Sequence, residues 1–136
     1  MKELLAKVRE FHETFGHEVN SDPTSIGIHG RELRFKLLKE ENEEYLIGND
    51  IYSQADAIGD ALYVLCGTIL VHGLEDKIEE VFDAIHRSNM SKLDENGKAI
   101  INGVNVPMNS LYPFGKILKS DKYTTPTEEI KQILNQ

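Results

Sequence analysis

Leu33-Arg34-Phe35-Lys36-Leu37-Leu38-Lys39-Glu40-Glu41-Asn42-Glu43-Glu44-Tyr45 sets leucines and glutamates on one stripe of a helix. At about 100° per residue, Leu33 and Leu37 mark the inward direction. Glu40, Glu41 and Glu44 fall on the same side, within a sector of about 100°, and Glu43 points further out. The stretch lies in a strongly charged helix predicted from Ile28 to Tyr45. Most such charge runs are solvated faces, and that is the ordinary meaning of Lys39 to Glu44.

The next segment gives those glutamates a possible counterpart. Gly48-Asn49-Asp50 breaks the second helix and supplies caps for a third, Ile51 to His72. From Ala55 onward this helix is apolar around nearly its whole circumference (Ile58, Leu62, Val64, Leu65, Ile69, Leu70), the pattern of a buried helix. Yet Asp56 and Asp60 stand one turn apart, on a face shared with Ser53 and Gly67. Burying an ionised carboxylate without a partner costs several kcal/mol. A purely structural account has Asp56 cap the helix and Asp60 pair with a lysine, although Asp60 lies deep for a cap. The other account has two inward acid clusters on neighbouring helices holding a cation between them. Hard oxygen ligands then select Mg²⁺, with Mn²⁺ as the second choice. His12, His17, His29, His72 and His86 are scattered without Glu-x-x-His spacing, which disfavours zinc or iron.

Working outward, Leu4, Leu5, Val8, Phe11 and Phe15 give a first helix over Lys2 to Phe15, stopped by Gly16. Glu75 to Asn89 gives a fourth, with Ile78, Val81, Phe82 and Ile85 as its inner stripe. Short connections favour antiparallel packing of consecutive helices. Beyond Ser91, Asn96-Gly97 and Asn102-Gly103 are turn dipeptides. Lys98–Ile101 and Val104–Val106 are predicted to flank the second as a two-stranded ribbon. Three prolines then mark an irregular tail, and Thr127 to Leu134 forms a last short helix. The expected fold class is all-α: an antiparallel four-helix bundle with a small β-hairpin and irregular C-terminal tail. One domain is expected over 1–136, with the bundle over about 1–92 and the tail over about 93–136.

The chain has 136 residues and a formal charge of −8, enough length for a core without disulfides. Its acidity argues against nucleic-acid binding, which needs a basic face. Cys66 is the only cysteine, so a reducing cytoplasm is the expected compartment. Met1 to Glu13 has no apolar signal core, and Ala61 to Val71 is too short an apolar stretch to span a bilayer, which takes roughly 20 residues. No membrane association is expected.

In order, Glu40-Glu41-Asn42-Glu43-Glu44 and Ala55-Asp56-Ala57-Ile58-Gly59-Asp60-Ala61-Leu62-Tyr63 resemble the all-α nucleoside triphosphate pyrophosphohydrolases. Their signature is Glu-Glu-x-x-Glu on one helix, then Glu-x-x-Asp on the next. His86-Arg87-Ser88-Asn89-Met90-Ser91-Lys92-Leu93, Gly115-Lys116-Ile117-Leu118-Lys119 and Tyr123 resemble the MazG-like branch near phosphoribosyl-ATP pyrophosphohydrolase. The resemblance covers roughly Leu4 to Pro126. It implies a MazG-like bundle and hydrolysis of a nucleotide between its α and β phosphates, giving a monophosphate and pyrophosphate. It further implies Glu41, Glu44, Asp56 and Asp60 as Mg²⁺ ligands and Glu40 as the base that orients or deprotonates water. Lys92, Lys119 and Tyr123 become candidates for phosphate contacts, and Asn89 for base or ribose, with ordinary surface lysines as the plain alternative for the first two. The implied assembly is a homo-oligomer, dimer or tetramer, acting on a small-molecule nucleotide.

Two departures stand out. Ser53 occupies the position three before Asp56 where the signature has glutamate, and the same position counted from Asp60 is Ala57. The stretch Val104 to Phe114 is also longer than the branch usually has. Two further readings stay open: phosphoribosyl-ATP as substrate, and a non-catalytic helical oligomer that binds metal or nucleotide.

Overall fold

Five helices and one small antiparallel sheet make up the chain: α1 (Lys2–Phe15), α2 (Ile28–Ile47), α3 (Ile51–Val71), α4 (Ile78–Met90), β1 (Ile100–Ile101), β2 (Ile117–Leu118) and α5 (Thr127–Leu134). The computed structural model describes all residues, Met1–Gln136. The class is all-α, as expected, and α1 and α5 have the predicted bounds. The chain divides into two compact units, Met1–Ile78 and Glu79–Gln136, so α4 belongs almost wholly to the second.

In the first unit α3 is the shared partner, packing against both α1 and α2. Its core is Leu5 and Val8 of α1 against Cys66 and Leu70 of α3, all but fully buried. Burying a leucine of this kind contributes about 1.5–3 kcal/mol. Gly16 ends α1 in the left-handed region at φ 74°, where lack of a Cβ removes the steric penalty. Asn20 ties the following loop to the end of α3, donating to the Val71 carbonyl at 2.6 Å. Arg9 of α1 pairs with Glu75.

The burial of α3 is uneven. Ala57, Cys66, Gly67, Leu70 and Val71 are buried, whereas Ile58, Leu62 and Leu65 remain 56%, 41% and 44% exposed. The continuous apolar surface predicted a helix enclosed along its length; within this unit only its last turns, Cys66 to Val71, are enclosed, where Leu5 and Val8 of α1 pack. By length and mean hydropathy α3 also reaches the range of a membrane-crossing helix, a test that core helices pass equally.

Around the second unit's helices, side-chain hydroxyls hold irregular backbone. Ser88 donates to the Thr124 carbonyl at 2.8 Å, and Ser120 to that of Leu93 at 2.7 Å. The helix predicted from Glu75 begins instead at Ile78, since Lys77 and Ile78 both close a turn onto the Leu74 carbonyl. The ribbon differs too. Asn102-Gly103 does turn the chain, with Gly103 at φ 73°, but the partner of Ile100–Ile101 is Ile117–Leu118 and not Val104–Val106. The reason is local: the Asn105 side chain takes the Ile101 N–H and donates to the Ala99 carbonyl, both at 2.8 Å, using groups that a hairpin return strand would need. The chain then loops around Asn102, which is wholly buried. Its amide donates to the carbonyls of Asn109, Tyr112 and Pro113, each at 3.0 Å. Its carbonyl oxygen accepts from the Asn109 N–H at 2.8 Å.

Candidate active site

The acids of α2 and α3 gather around Glu41. This side chain is half-buried, and its Oε2 is the single buried side-chain polar atom with no hydrogen-bond partner. Burial pushes the Glu41 carboxyl pKa up, and the charges of Glu44, Asp60, Glu40 and Asp56 push it further the same way. All five predicted acids therefore share one electrostatic neighbourhood. Only Glu41 is drawn inward, however; Glu40, Glu44, Asp56 and Asp60 are exposed. The stripe they share is open at Leu33, 51% exposed, and half-buried at Leu37. Glu43 turns outward as expected and pairs with Lys39 at 3.5 Å.

The donor set suits a hard dication. It is all oxygen, and at its centre lies a buried oxygen that no protein donor satisfies. The shell is not preassembled, since no three acidic, histidine or cysteine side chains converge into a metal cage. Neither part of the structural account of the aspartates holds. Asp50, not Asp56, caps α3, and no lysine pairs with Asp60.

Ser53, where the signature has glutamate, works locally. Its N–H and its hydroxyl donate to Asp50 Oδ1 at 2.8 and 2.9 Å, and its Oγ accepts from the Asp50 N–H at 3.4 Å, which closes a reciprocal capping box. These bonds hold the Asp50 carboxyl below the usual carboxylate range.

Beside the acids a cavity of about 320 Å³ opens, lined at one end by Glu41 and Asp60 and elsewhere by Phe11, His17, Arg34 and Tyr63. Arg34 is the most buried cation of the chain, at 9% exposure. Its Nε donates to Thr68 Oγ1 at 3.0 Å and its Nη2 to the Val64 carbonyl at 2.7 Å. No carboxylate pairs with it, and burial alone pushes its pKa down. His12, at 2% exposure, shares this floor. Its Nδ1 lies 3.0 Å from the Glu18 carbonyl, which only accepts, so that nitrogen carries the proton. Burial is the main cause that lowers the His12 pKa, with Arg34 and His17 adding to it against the Glu18 bond.

In the second unit, three of the four predicted substrate contacts come together. The Lys119 Nζ sits 4.5 Å from the centre of the Tyr123 ring. A hydrogen bond with Ser88 is the main cause that lowers the Tyr123 pKa, and the charges of Lys119 and Lys92 act the same way. Lys92 and Lys119 also line a cavity of about 330 Å³ with Tyr112 and Lys116. Asn89 is exposed near the end of α4 and is not part of that cavity's lining.

The family model for phosphoribosyl-ATP pyrophosphohydrolase matches residues 8–89, more than half of the chain and the whole of its acid-bearing helices. The chain belongs to the phosphoribosyl-ATP pyrophosphohydrolase family. That family is part of the MazG-like nucleoside triphosphate pyrophosphohydrolase superfamily, and its members are hydrolases acting on phosphorus anhydrides. No curated protein matches the chain.

For a phosphoribosyl-ATP pyrophosphohydrolase family member, the residues that sequence reasoning missed are Arg34, Phe11 and Tyr63. Arg34 lies on the same helix as the glutamates, one turn from Leu37, and reads there as one more surface charge. A cation between apolar neighbours, facing a glycine on the next helix, was the available signal. Lys116 lies inside the Gly115–Lys119 motif but carried no assigned role there, and Tyr112 had no signal, because the loop that brings it beside Lys92 has no periodicity.

Proposed function

We propose that this chain is a Mg²⁺-dependent nucleoside triphosphate pyrophosphohydrolase that splits a nucleotide into a monophosphate and pyrophosphate. One observation carries the reading: Glu41 keeps a buried oxygen without a partner while four other carboxylates raise its pKa. A fold gains nothing from such crowding unless a cation offsets it. The proposed ligands are Glu41, Glu44, Asp56 and Asp60. A bound Mg²⁺ would neutralise charge on the phosphate oxygens, which a chain of charge −8 otherwise repels. Glu40, exposed beside Glu41, would accept a proton from the attacking water. In their own unit, Lys92, Lys119 and Tyr123 would bind phosphate oxygens, and Asn89 the ribose.

The family match supports phosphoribosyl-ATP as a second substrate reading. The functional form is proposed to be a cytoplasmic homo-oligomer, dimer or tetramer. Leu33, Leu46, Ile47, Ile58, Leu62 and Leu65 stay exposed along α2 and α3, apolar surface that a second copy would cover.

The test is pyrophosphate release from a panel of ribo- and deoxynucleoside triphosphates and phosphoribosyl-ATP, with Mg²⁺ and with chelator. Release from at least one substrate, abolished by chelator, is expected. No release from any of them would leave a metal- or nucleotide-binding oligomer in its place.

A further inference from the structure

We infer that the cavity over Arg34 is a nucleobase subsite that selects bases bearing a ring carbonyl, with Arg34 as the residue that reads it. This rests on the nucleotide reading above and adds what that reading leaves open, the class of base. Three observations support it.

The first is the state of Arg34. It is more than nine-tenths buried, and its two hydrogen bonds use Nε and Nη2. Nη1 has no protein acceptor, and no acid neutralises the group. Nη1 is therefore open to water, since the one buried polar atom without a partner is Glu41 Oε2, and an arriving group would replace that water. A guanidinium donates only, so the arriving atom must be an acceptor.

The second is the wall. The Phe11 and Tyr63 rings meet edge to face with centres 5.6 Å apart, and Phe11 and His17 likewise at 6.0 Å. Phe11 and Tyr63 keep 37% and 40% of their surface exposed. Partly open aromatic faces around a buried donor suit a flat heterocycle.

The third is polarity along the cavity. Glu41 and Asp60 line its other end. Arg34 and Glu41 reach this one cavity from positions two turns apart on α2. An anion alone in this cavity would face those carboxylates. A neutral base at the Arg34 end directs the phosphates of the same nucleotide toward the acids, where a dication would meet them. Inosine-, guanine- and uracil-type rings offer a carbonyl to Arg34, whereas adenine offers an amino donor at the matching position.

Deoxyinosine and deoxyadenosine differ only at C6 and in the proton on the neighbouring N1, and need neither phosphate nor metal. Their binding, followed by NMR on the full-length protein in chelator through the Arg34 Nε–H and Tyr63 ring signals, is the test. Deoxyinosine is expected to bind about tenfold or more tightly than deoxyadenosine. In Arg34→Lys the ratio should fall toward one, because a lysine cannot keep the same fork of bonds. In Tyr63→Leu, a change at a partly exposed site, both nucleosides should weaken together with the ratio kept. Equal affinities in the native protein, or an Arg34 signal that moves with inorganic phosphate instead of nucleoside, would overturn the inference. If the nucleoside ratio holds while no triphosphate releases pyrophosphate, the subsite stands and the hydrolytic reading falls. If pyrophosphate is released equally from dITP and dATP, the hydrolytic reading stands and the subsite falls.

Discussion

Arg34 on α2 and Gly67 on α3 are fitted to each other: a Cβ on Gly67 would lie 2.6 Å from the Arg34 Nη2 and 2.7 Å from the His12 Nε2. The absence of a side chain is what lets a buried guanidinium and a buried imidazole share one floor. Gly67→Ala should displace Arg34 from the Val64 carbonyl and lower stability by about 1–3 kcal/mol, the usual cost of overpacking. Urea unfolding measures it, and an unchanged midpoint would show that the guanidinium swings aside freely.

His12 predicts an acid-side loss of stability. Its folded-state pKa lies below the ordinary value, chiefly because burial disfavours the imidazolium. Below about pH 6.5 the unfolded chain takes up a proton that the folded chain refuses. Stability from this group is thus complete above that value and is lost as pH falls toward the lowered pKa. His12→Gln should flatten the stability profile between about pH 5 and 7. An identical slope in both proteins would assign the effect elsewhere.

Glu41 predicts the opposite sign. A carboxyl whose pKa is raised on folding favours the fold below the ordinary carboxylate range, and that contribution is lost as pH rises through the raised value. Glu41→Gln should therefore leave metal-free stability equal or higher at pH 7, with the difference vanishing near pH 4. Mg²⁺ binding by calorimetry should weaken at least as much as losing an outer partner of a metal ligand weakens it, about 10–100-fold. A clear fall in metal-free stability would identify a structural role instead.

Ser53→Glu restores the acid that the family signature carries. A glutamate is the usual partner in a capping box at this position, so the bond from the residue 53 N–H to Asp50 should survive. Tighter binding of Mn²⁺, followed by its paramagnetic signal, is the expected result. Unchanged affinity would mean that the position faces away from the acids.

The helices were legible because each carries its own period and stop. The all-α class follows from that, as do the bounds of α1 and α5. That the charges of Glu40, Glu44, Asp56 and Asp60 reach Glu41 was legible from helical phase once α2 packs on α3, although no three of these acids converge. Their exposure was not. Phase gives direction around one axis, and whether Leu33 and Leu37 are covered depends on which helix packs beside them; α1 chose α3. The partner of β1 was hidden because side chains set it: Asn105 takes the bonds that the nearer strand needed. Arg34 escaped notice because a buried cation and a surface cation look the same until the glycine opposite is seen.

Asn102 bears on how the protein ages. An asparagine followed by glycine readily loses its side-chain amide when the glycine nitrogen swings onto it and closes a ring. Here the amide is fastened to the carbonyls of Asn109, Tyr112 and Pro113, and that swing is blocked. In a chain left denatured the conversion runs freely, and the aspartate it leaves would confront those same carbonyl oxygens with negative charge. Time spent unfolded would thus be recorded, irreversibly, at a single atom.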